Sequence, residues 1–152
     1  MLDIELPQVV VDLTNFISDR NQGQIEFPIN VDLNYAEERF VVDKSIIGKV
    51  KIEKVNEKLW LHFAVKAEIK LICDRCLKKI NKNLSLNFDR FVNADAEEQE
   101  IILTDNKIDL FSPILDEIIL KIPAKILCKH NCRGFCPNCG VNLNLKSCNH
   151  YK

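Results

Sequence analysis

Strict alternation of apolar and polar residues marks the middle of the chain. The longest alternating stretch covers residues 59–71, where every second side chain is apolar. Shorter alternating stretches cover residues 46–53 before it and residues 84–89 after it. A period of two is typical of a strand with one buried face, so residues 45–92 are predicted to form a three-stranded antiparallel meander.

The N-terminal side carries weaker signals. Residues 25–33 also alternate, and Pro28 within them predicts an edge strand or a bulge, because proline cannot donate a hydrogen bond to a neighbouring strand. Before them, Ile4 and Leu6 indicate the start of a strand, and residues 9–17 could form a short helix. No repeat and no glycine- or serine-rich linker interrupts the chain.

Apolar residues at helical spacing predict one helix over about residues 111–122, which ends before Pro123. Ser112 is expected to cap its N-terminus, and Pro113 is expected to occupy its first position. The stretch upstream, residues 94–100, is strongly acidic and is predicted to be a solvated or disordered loop.

Cysteines dominate the chemistry of the last part of the chain. Five of the seven cysteines lie here, in the spacing C-x3-C-x3-C-x2-C-x8-C-x-H. The segment Cys136–Gly140 reads C-P-N-C-G and is typical of a zinc knuckle, since the proline presets one turn angle and the glycine permits a positive φ. The alternative is a set of buried or reactive thiols. The candidate ligands here are Cys128, Cys132, Cys136, Cys139, Cys148 and His150.

A second C-x2-C pair, Cys73 and Cys76, follows the longest predicted strand. Two thiolates cannot complete a tetrahedral site, so this pair needs ligands from elsewhere in the chain. Seven cysteines and one histidine are enough for two four-ligand zinc sites. The favoured partition joins Cys73 and Cys76 to Cys128 and Cys132, and it leaves a local site of Cys136, Cys139, Cys148 and His150.

Other partitions stay open at this point. Cys73 and Cys76 could instead join Cys136 and Cys139, knuckle to knuckle. A single site could be filled, and His130 could replace a cysteine in any of these sets. The favoured partition depends on chain economy, by which we mean that the four ligands of the local group lie within one short stretch of chain and need no ligand from elsewhere.

Length and composition suit one domain, predicted over residues 1–152 with residues 124–152 as a zinc-binding tail packed on the core. The expected fold class is α+β: an antiparallel β-sheet or partly open barrel, with one helix at about 111–122 and a zinc-binding C-terminal loop region. The N-terminus lacks the features of a secretory signal, and no apolar run reaches the length of a membrane span. Cysteines that hold metal rather than form disulfides then predict a cytoplasmic protein.

The net charge of −1 hides a strong segregation of charge. Residues 44–90 carry 12 basic and 5 acidic side chains, and residues 121–152 carry 6 basic and no acidic ones. Residues 1–43 and 91–120 each have a net charge of −7. Both blocks with candidate metal ligands are therefore the basic ones, which indicates either a functional basic face or ordinary charge balance between neighbouring segments.

Two groups of basic side chains are candidate contacts for a polyanion. Lysines on the outer face of the meander would attract phosphates without reading sequence. Arg75 and Arg133 lie inside metal-binding loops and could make bidentate phosphate contacts or neutralise thiolate charge. Aromatic candidates for base stacking are few: Trp60, His62 and Phe135. The candidate RNA- or partner-binding residues are Lys49, Lys51, Lys66, Lys70, Arg75, Lys129 and Arg133.

Three separated segments resemble the YceD-like proteins, in the form that carries a C-terminal knuckle. The first is the run from Ile69 to Ile80, which contains the signature C-x-R-C-L. The second, from Asp116 to Pro123, reads D-E-I-I-L-K-I-P, and the third is the tail C-K-H-N-C-R-G-F-C-P-N-C-G-V-N-L-N. The resemblance covers roughly residues 45–150 and is specific, because the three segments occur in the family's order.

This resemblance implies a role in the accumulation of large-subunit ribosomal RNA, in bacteria and in plastids. We therefore expect a non-catalytic assembly factor with two structural Zn²⁺ ions, which binds ribosomal RNA precursor or an early large-subunit ribosomal protein. No membrane and no small-molecule substrate is expected. The alternatives are a thiol redox protein that uses its C-x2-C pairs and a zinc-dependent protein-interaction module unrelated to ribosomes. The redox alternative is disfavoured because Cys73 follows a strand, whereas redox dithiols usually sit at a helix N-terminus.

Overall fold

The described part of the chain is mostly antiparallel β-structure. The computed structural model describes residues 7–56, 58–93 and 101–150. The predictions for Ile4 and Leu6 and for residues 94–100 lie outside these ranges. The elements in chain order are β1 (Val10–Asp12), α1 (Thr14–Ser18), β2 (Gln24–Val31), β3 (Tyr35–Ala36), β4 (Phe40–Val42), β5 (Ile46–Val55), β6 (Lys58–Ile72), β7 (Lys79–Asn93), β8 (Ile101–Ile102), β9 (Lys107–Asp109) and α2 (Phe111–Lys121).

Strands β5, β6 and β7 form the predicted meander at the centre of a seven-stranded sheet. Strand β6 pairs antiparallel with β5 on one side and with β7 on the other. Strand β7 begins at Lys79, well before the alternation at 84–89. Its first residues are mostly polar, so they carry no apolar period, but their backbone still pairs with the end of β6.

The edges of this sheet stay apart, so the described strands form an open sheet rather than a closed barrel. Strand β2 pairs only with β5 among the described strands, and Pro28 therefore lies in an edge strand, as predicted. Strand β4 pairs with the far end of β6, at Phe40↔Leu71, and β3 pairs with β4. Strand β8 adds to β7 in parallel.

The core lies between the apolar face of the meander and α2. Ile52, Leu61 and Ile69 of the sheet are almost fully buried, as are Ile114 and Ile118 of the helix. The alternation that predicted the meander therefore also identifies its buried face.

The start of α2 differs in detail from the prediction. The helix begins at Phe111, so Pro113 lies within its first turn rather than at its first position. The Asp109 carboxylate accepts hydrogen bonds from the Phe111 backbone N–H at 2.9 Å and from the Ser112 hydroxyl at 2.6 Å. The prediction of Ser112 as the cap is wrong, because Asp109 supplies the acceptor that the first turn needs.

The N-terminal segment packs on the main sheet through a small second layer. Strand β1 pairs with β9, and α1 buries Phe16. The short helix predicted over 9–17 is therefore confined to Thr14–Ser18, since the residues before it form a strand. Within the described ranges, no helix has both the length and the apolar character needed to cross a membrane. That residues 1–152 form one domain stays a prediction.

Candidate metal centres

The seven cysteines and His150 gather into two groups of four, and in each group all ligand atoms lie within 4.8 Å of one another. We call the first group the shared site: Cys73, Cys76, Cys128 and Cys132. We call the second the tail site: Cys136, Cys139, Cys148 and His150. These are the two sets of the favoured partition. The alternative set, in which Cys73 and Cys76 join Cys136 and Cys139, is not formed, because the two C-x2-C pairs lie in different groups. Among the described residues, His130 belongs to neither group.

The sulfur atoms of the shared site have the spacing of a tetrahedral metal centre. The Sγ atoms of Cys73 and Cys132 lie 3.8 Å apart, and those of Cys76 and Cys128 lie 3.5 Å apart. Zn–S bonds of about 2.3 Å at tetrahedral angles would separate two sulfurs by about 3.8 Å. All seven cysteines are free thiols. The group can therefore hold one metal ion, with four ligands from the protein.

The turn between β6 and β7 positions the first two ligands. Cys73 directly follows β6, and its backbone N–H donates to the Lys78 carbonyl at 2.9 Å. The Leu77 backbone N–H donates back to the Cys73 carbonyl at 3.0 Å. Leu77 closes this turn in the left-handed conformation, with φ of 59°.

The thiols of the shared site differ in how readily they ionise: the pKa values of Cys73 and Cys132 are lowered, whereas those of Cys76 and Cys128 are raised, chiefly by burial. Burial opposes ionisation of Cys73, yet N–H groups from the backbone of Cys76, Arg75 and Cys128 lower its pKa to about 6. Burial, with the neighbouring Cys76 sulfur, raises the pKa of Cys128 to about 12. Four thiolates at this distance repel one another, so a bound cation is what would allow all four to ionise.

The β6–β7 turn is hydrogen-bonded to the segment that carries the other two ligands. Asp74 and Ile126 exchange two bonds: the Asp74 N–H donates to the Ile126 carbonyl at 2.8 Å, and the Ile126 N–H donates to Asp74 Oδ2 at 2.7 Å. Arg39 Nη2 donates to the same carboxylate at 3.2 Å and to the Ala124 carbonyl at 2.9 Å. The Ile126 N–H, followed by Arg39, lowers the pKa of Asp74.

Two side chains outside the ligand set hold Cys132 in place. Asn144 Nδ2 donates to the Cys132 sulfur at 3.3 Å, while its Oδ1 accepts the Arg133 N–H at 2.9 Å. Arg75 Nη1 donates to the Cys132 carbonyl at 2.6 Å. Asn144 belongs to the loop of the tail site, so it connects the two centres. Sequence reasoning missed Asn144, because no spacing rule marks a hydrogen-bond partner of a ligand.

The tail site is built on its own knuckle. The Gly140 N–H donates to the Cys136 carbonyl at 2.9 Å, and Gly140 has φ of 71°, which confirms the predicted positive φ. The N–H groups of Cys139 and Asn138 lower the pKa of Cys136 to about 7. Cys139 and His150 are exposed, so this centre is more open to solvent than the shared site.

The four candidate lysines of the sheet differ from the basic residues of the tail. Three of them face carboxylates: Lys49 with Glu26 at 3.1 Å, Lys51 with Glu53, and Lys70 with Asp43. Lys66 has no carboxylate oxygen within 4.0 Å among the described residues. Three of the four candidate lysines of the sheet are therefore balanced by a local carboxylate.

The cations of the tail lack such partners. Within the described ranges, no carboxylate oxygen lies within 4.0 Å of Lys125, Lys129, Arg133 or Lys146. Arg133 and Arg75 line a cleft of about 600 Å³ next to the shared site. We call it the arginine cleft, and its lining residues are Arg75, Asn131, Cys132, Arg133, Gly134 and Phe135.

Comparison with known proteins finds relatives that match part of this chain. An uncharacterized protein of Mycobacterium tuberculosis is 30% identical over 102 residues, which cover 62% of this chain and 49% of that protein. A maize (Zea mays) protein named large ribosomal RNA subunit accumulation protein YCED homolog 1, chloroplastic, is 25% identical over 137 residues, covering 67% of this chain and 47% of its own length. The chain spans about half the length of these curated relatives. No solved structure gives a significant match.

A family model described as large ribosomal RNA subunit accumulation protein YceD matches residues 61–152. The matched region contains every ligand of the shared site and of the tail site. It also takes in more than half of the chain, from near the start of β6 onward. The chain therefore belongs to the YceD family.

Proposed function

We propose that this chain is a non-catalytic assembly factor that supports accumulation of large-subunit ribosomal RNA. It acts by binding ribosomal RNA precursor or an early large-subunit ribosomal protein. The family and the name of the maize relative support the ribosomal role. The observation that carries the proposal is the basic metal-bearing tail: Lys125, Lys129, Arg133 and Lys146 have no carboxylate oxygen within 4.0 Å among the described residues.

Both centres are proposed to hold structural Zn²⁺. Thiolate and imidazole are ligands that zinc prefers, and four thiolates or three with one imidazole are common in closed structural sites. A catalytic zinc keeps one position open for water or substrate. Here each centre has four ligands from the protein, which supports a role in holding the tail rather than in chemistry.

A thiol redox role is the competing proposal, and the lowered pKa of Cys73 is the observation in its favour. Against it, Cys73 follows a strand and its sulfur lies among three other thiols. Metal analysis and thiol titration of native protein distinguish the two. We expect two zinc ions per chain and protected thiols, whereas metal-free protein with freely titrating thiols would contradict the zinc centres and reopen the redox role.

A surface with acidic and apolar side chains, next to α2, supports a protein partner. Ile119 and Leu120 of α2 are 45% and 69% exposed, which is unusual for large apolar side chains. Ile119 also lines a groove of about 370 Å³ with Glu37, Glu38 and Arg39, and Arg39 is already paired with Asp74. An apolar patch beside carboxylates suits a basic protein segment, and ribosomal RNA-binding proteins are basic because they contact phosphate.

Purification under native conditions, with and without nuclease, tests the proposal. Large-subunit precursor RNA or large-subunit ribosomal proteins are expected to co-purify. Partners that disappear after nuclease treatment indicate RNA-mediated binding, and partners that resist it indicate direct protein contact. Depletion of the protein is expected to lower the amount of large-subunit RNA relative to small-subunit RNA. An unchanged ratio would contradict the proposed function.

A further inference from the structure

We propose that the arginine cleft binds single-stranded RNA, with Arg133 at a phosphate and Phe135 stacked on a base. This inference rests on the proposed function and assigns its RNA contact to one surface. Two arginines line the cleft, and no carboxylate is among its lining residues. Its volume of about 600 Å³ lies within the range of about 300–1,000 Å³ that is usual for ligand pockets.

The charge around the cleft stays positive when the metal centres are filled. Four thiolates on Zn²⁺ carry a net charge of −2, and three thiolates with a neutral histidine carry −1. Arg75, Lys125, Lys129, Arg133 and Lys146 of the described metal-bearing segments carry five positive charges, which exceed the combined −3 of the two filled centres. That remainder favours a polyanion over a neutral or basic ligand.

The side chain of Arg75 and the backbone of Arg133 are held by hydrogen bonds within the metal-binding turns. Arg75 Nη1 is fixed on the Cys132 carbonyl at 2.6 Å, and a guanidinium has further N–H donors for a phosphate. Gly134 packs directly on this knuckle, because a Cβ at Gly134 would lie 2.9 Å from the Arg75 carbonyl oxygen. The Gly134 carbonyl in turn accepts the Leu143 N–H at 2.8 Å. The cleft is therefore preorganised, which lowers the cost of binding.

Phe135 is the aromatic residue of the cleft and is 41% exposed. Its neighbours in sequence, Gly134 and Cys136, lie on a backbone that is held by hydrogen bonds to Leu143 and Val141, and Phe135 itself bridges to Asn142. An exposed ring on a fixed backbone can stack on a base that is already unstacked, but bases within a duplex are not available to it. This geometry selects single strands.

The outer face of the sheet is less suited to RNA. A second pocket there, of about 420 Å³, includes Lys49 and Lys51, but Glu26 and Asp89 line it as well. Phosphate would meet carboxylates in that pocket, and it would meet none in the lining of the arginine cleft. The observations therefore favour the cleft over the sheet.

The test measures binding of a labelled oligouridine single strand to the full, metal-loaded chain as salt is varied. Phe135→Leu is expected to weaken binding by about 5- to 100-fold with an unchanged salt slope, because stacking carries no charge. Arg133→Gln is expected to weaken binding and to lower the salt slope by roughly 0.7, the value for one phosphate neutralised on a single strand. Lys82→Gln, an exposed lysine of β7, is the matched control and should change neither quantity. Metal content and the unfolding midpoint of each variant confirm that the fold is intact.

Wild-type affinity and salt slope in both cleft variants would overturn the inference and leave the proposed function standing. Loss of binding in Lys66→Gln, with none in Arg133→Gln, would assign the RNA to the sheet and also overturn it. No oligouridine binding by the intact chain, together with a nuclease-resistant ribosomal-protein partner, would overturn it in favour of protein recognition. Failure of the proposed function has a separate readout, which is an unchanged level of large-subunit RNA after depletion.

Discussion

At the scale of single residues, each C-x2-C pair is followed by one residue in the left-handed backbone conformation, which completes the turn. Leu77 follows Cys76 with φ of 59°, and Gly140 follows Cys139 with φ of 71°. Glycine adopts this conformation without steric cost, whereas for an L-residue with a side chain it costs about 1–2 kcal/mol. The shared site therefore contains a strained leucine where the tail site has a relaxed glycine.

Exchanging residue types at these two positions should have opposite effects on stability. Leu77→Gly relieves the strain and removes a side chain that is 65% exposed, so a gain of up to about 1 kcal/mol in unfolding free energy is expected. Gly140→Ala should cost about 1–2 kcal/mol, although no atom lies within 4 Å of the added Cβ. Urea unfolding of metal-loaded protein measures both. A clear loss of stability in Leu77→Gly would show that the leucine side chain itself contributes to the fold.

Asn144 provides a second test at this scale. Asn144→Asp keeps an oxygen for the Arg133 N–H but removes the N–H that donates to the Cys132 sulfur. We expect metal affinity at the shared site to fall about 10- to 100-fold, as is usual when a hydrogen-bond partner of a ligand is removed. Competition with a chelator measures the change, with the exposed Asn81→Asp as control. Equal retention of metal in the two variants would contradict this role of Asn144.

The candidate metal ligands were predictable from the number and spacing of the cysteines, because two thiolates three residues apart suit a single ion and each such pair needs two more ligands. Their hydrogen-bond partners were not. Arg39, Asp74 and Asn144 contact the centres across long stretches of chain, and each belongs to a residue type that is abundant on surfaces. Only the folded arrangement distinguishes them from solvated polar residues.

At the scale of elements, β5 and β6 approach each other closely at Gly48. A Cβ there would lie 2.2 Å from the Ala64 carbonyl oxygen and 2.7 Å from the Val65 Cα, both of which are backbone atoms. Neither atom can rotate away as a flexible side chain would. The close pairing of β5 and β6 thus requires a residue without a side chain at position 48.

Gly48→Ala is therefore expected to destabilise the chain by about 1–3 kcal/mol or more, as overpacking does when the backbone must shift. Gly23→Ala is the matched control, since nothing lies within 4 Å of its added Cβ, and its effect should be small. Thermal or urea unfolding of the two variants gives the comparison. Similar stabilities would mean that the strands separate at low cost at this point.

Elements were predictable where side-chain pattern and backbone pairing coincide. Strand β6 was predicted from seven apolar residues at alternate positions. The first part of β7 is mostly polar, so it has no such pattern and was not predicted as a strand. For α2, Ser112 and Asp109 are both plausible caps in sequence. The choice depends on where the chain leaves β9, which places the Asp109 carboxylate on the first turn.

At the scale of the whole molecule, the two centres should differ in what they hold together. The shared site joins the β6–β7 turn to the tail, while the tail site closes only its own loop. Structural zinc contributes on the order of 10 kcal/mol to folding in small metal-dependent domains. Cys76→Ser should therefore expose amides in residues 124–135 as well as in the hairpin.

Hydrogen exchange followed by mass spectrometry measures this difference. Cys139→Ser is the matched control, and it should loosen residues 136–150 while leaving the β6–β7 turn protected. Opening confined to the hairpin in Cys76→Ser would contradict a centre shared between distant segments. In that case the hydrogen bonds from Arg39 to the Pro123 and Ala124 carbonyls would suffice to hold the tail.

The grouping of ligands was predictable at this scale, but the distribution of free charge was not. Chain economy pointed to the local tail site, because its ligands lie within one short stretch. From the sequence, the sheet lysines were predicted to form a basic face, because the sequence alone does not tell which acidic residues lie beside them on neighbouring strands. Lys49 meets Glu26 of β2, and Lys70 meets Asp43, only once the strands are paired.

The separation of the shared ligands also dictates an order of assembly. Cys76 and Cys128 lie 52 positions apart, and Cys73 and Cys132 lie 59 apart. Closing a loop of that size in an unfolded chain costs about 3–4 kcal/mol in entropy. During synthesis the tail site can capture its ion alone, but the shared site must wait until β7 and α2 have brought its halves together. Under the proposal that Zn²⁺ binds there, the ion is bound last, by a sheet that has already formed. We therefore expect a cell short of zinc to accumulate chains with an intact meander and an unattached C-terminal segment.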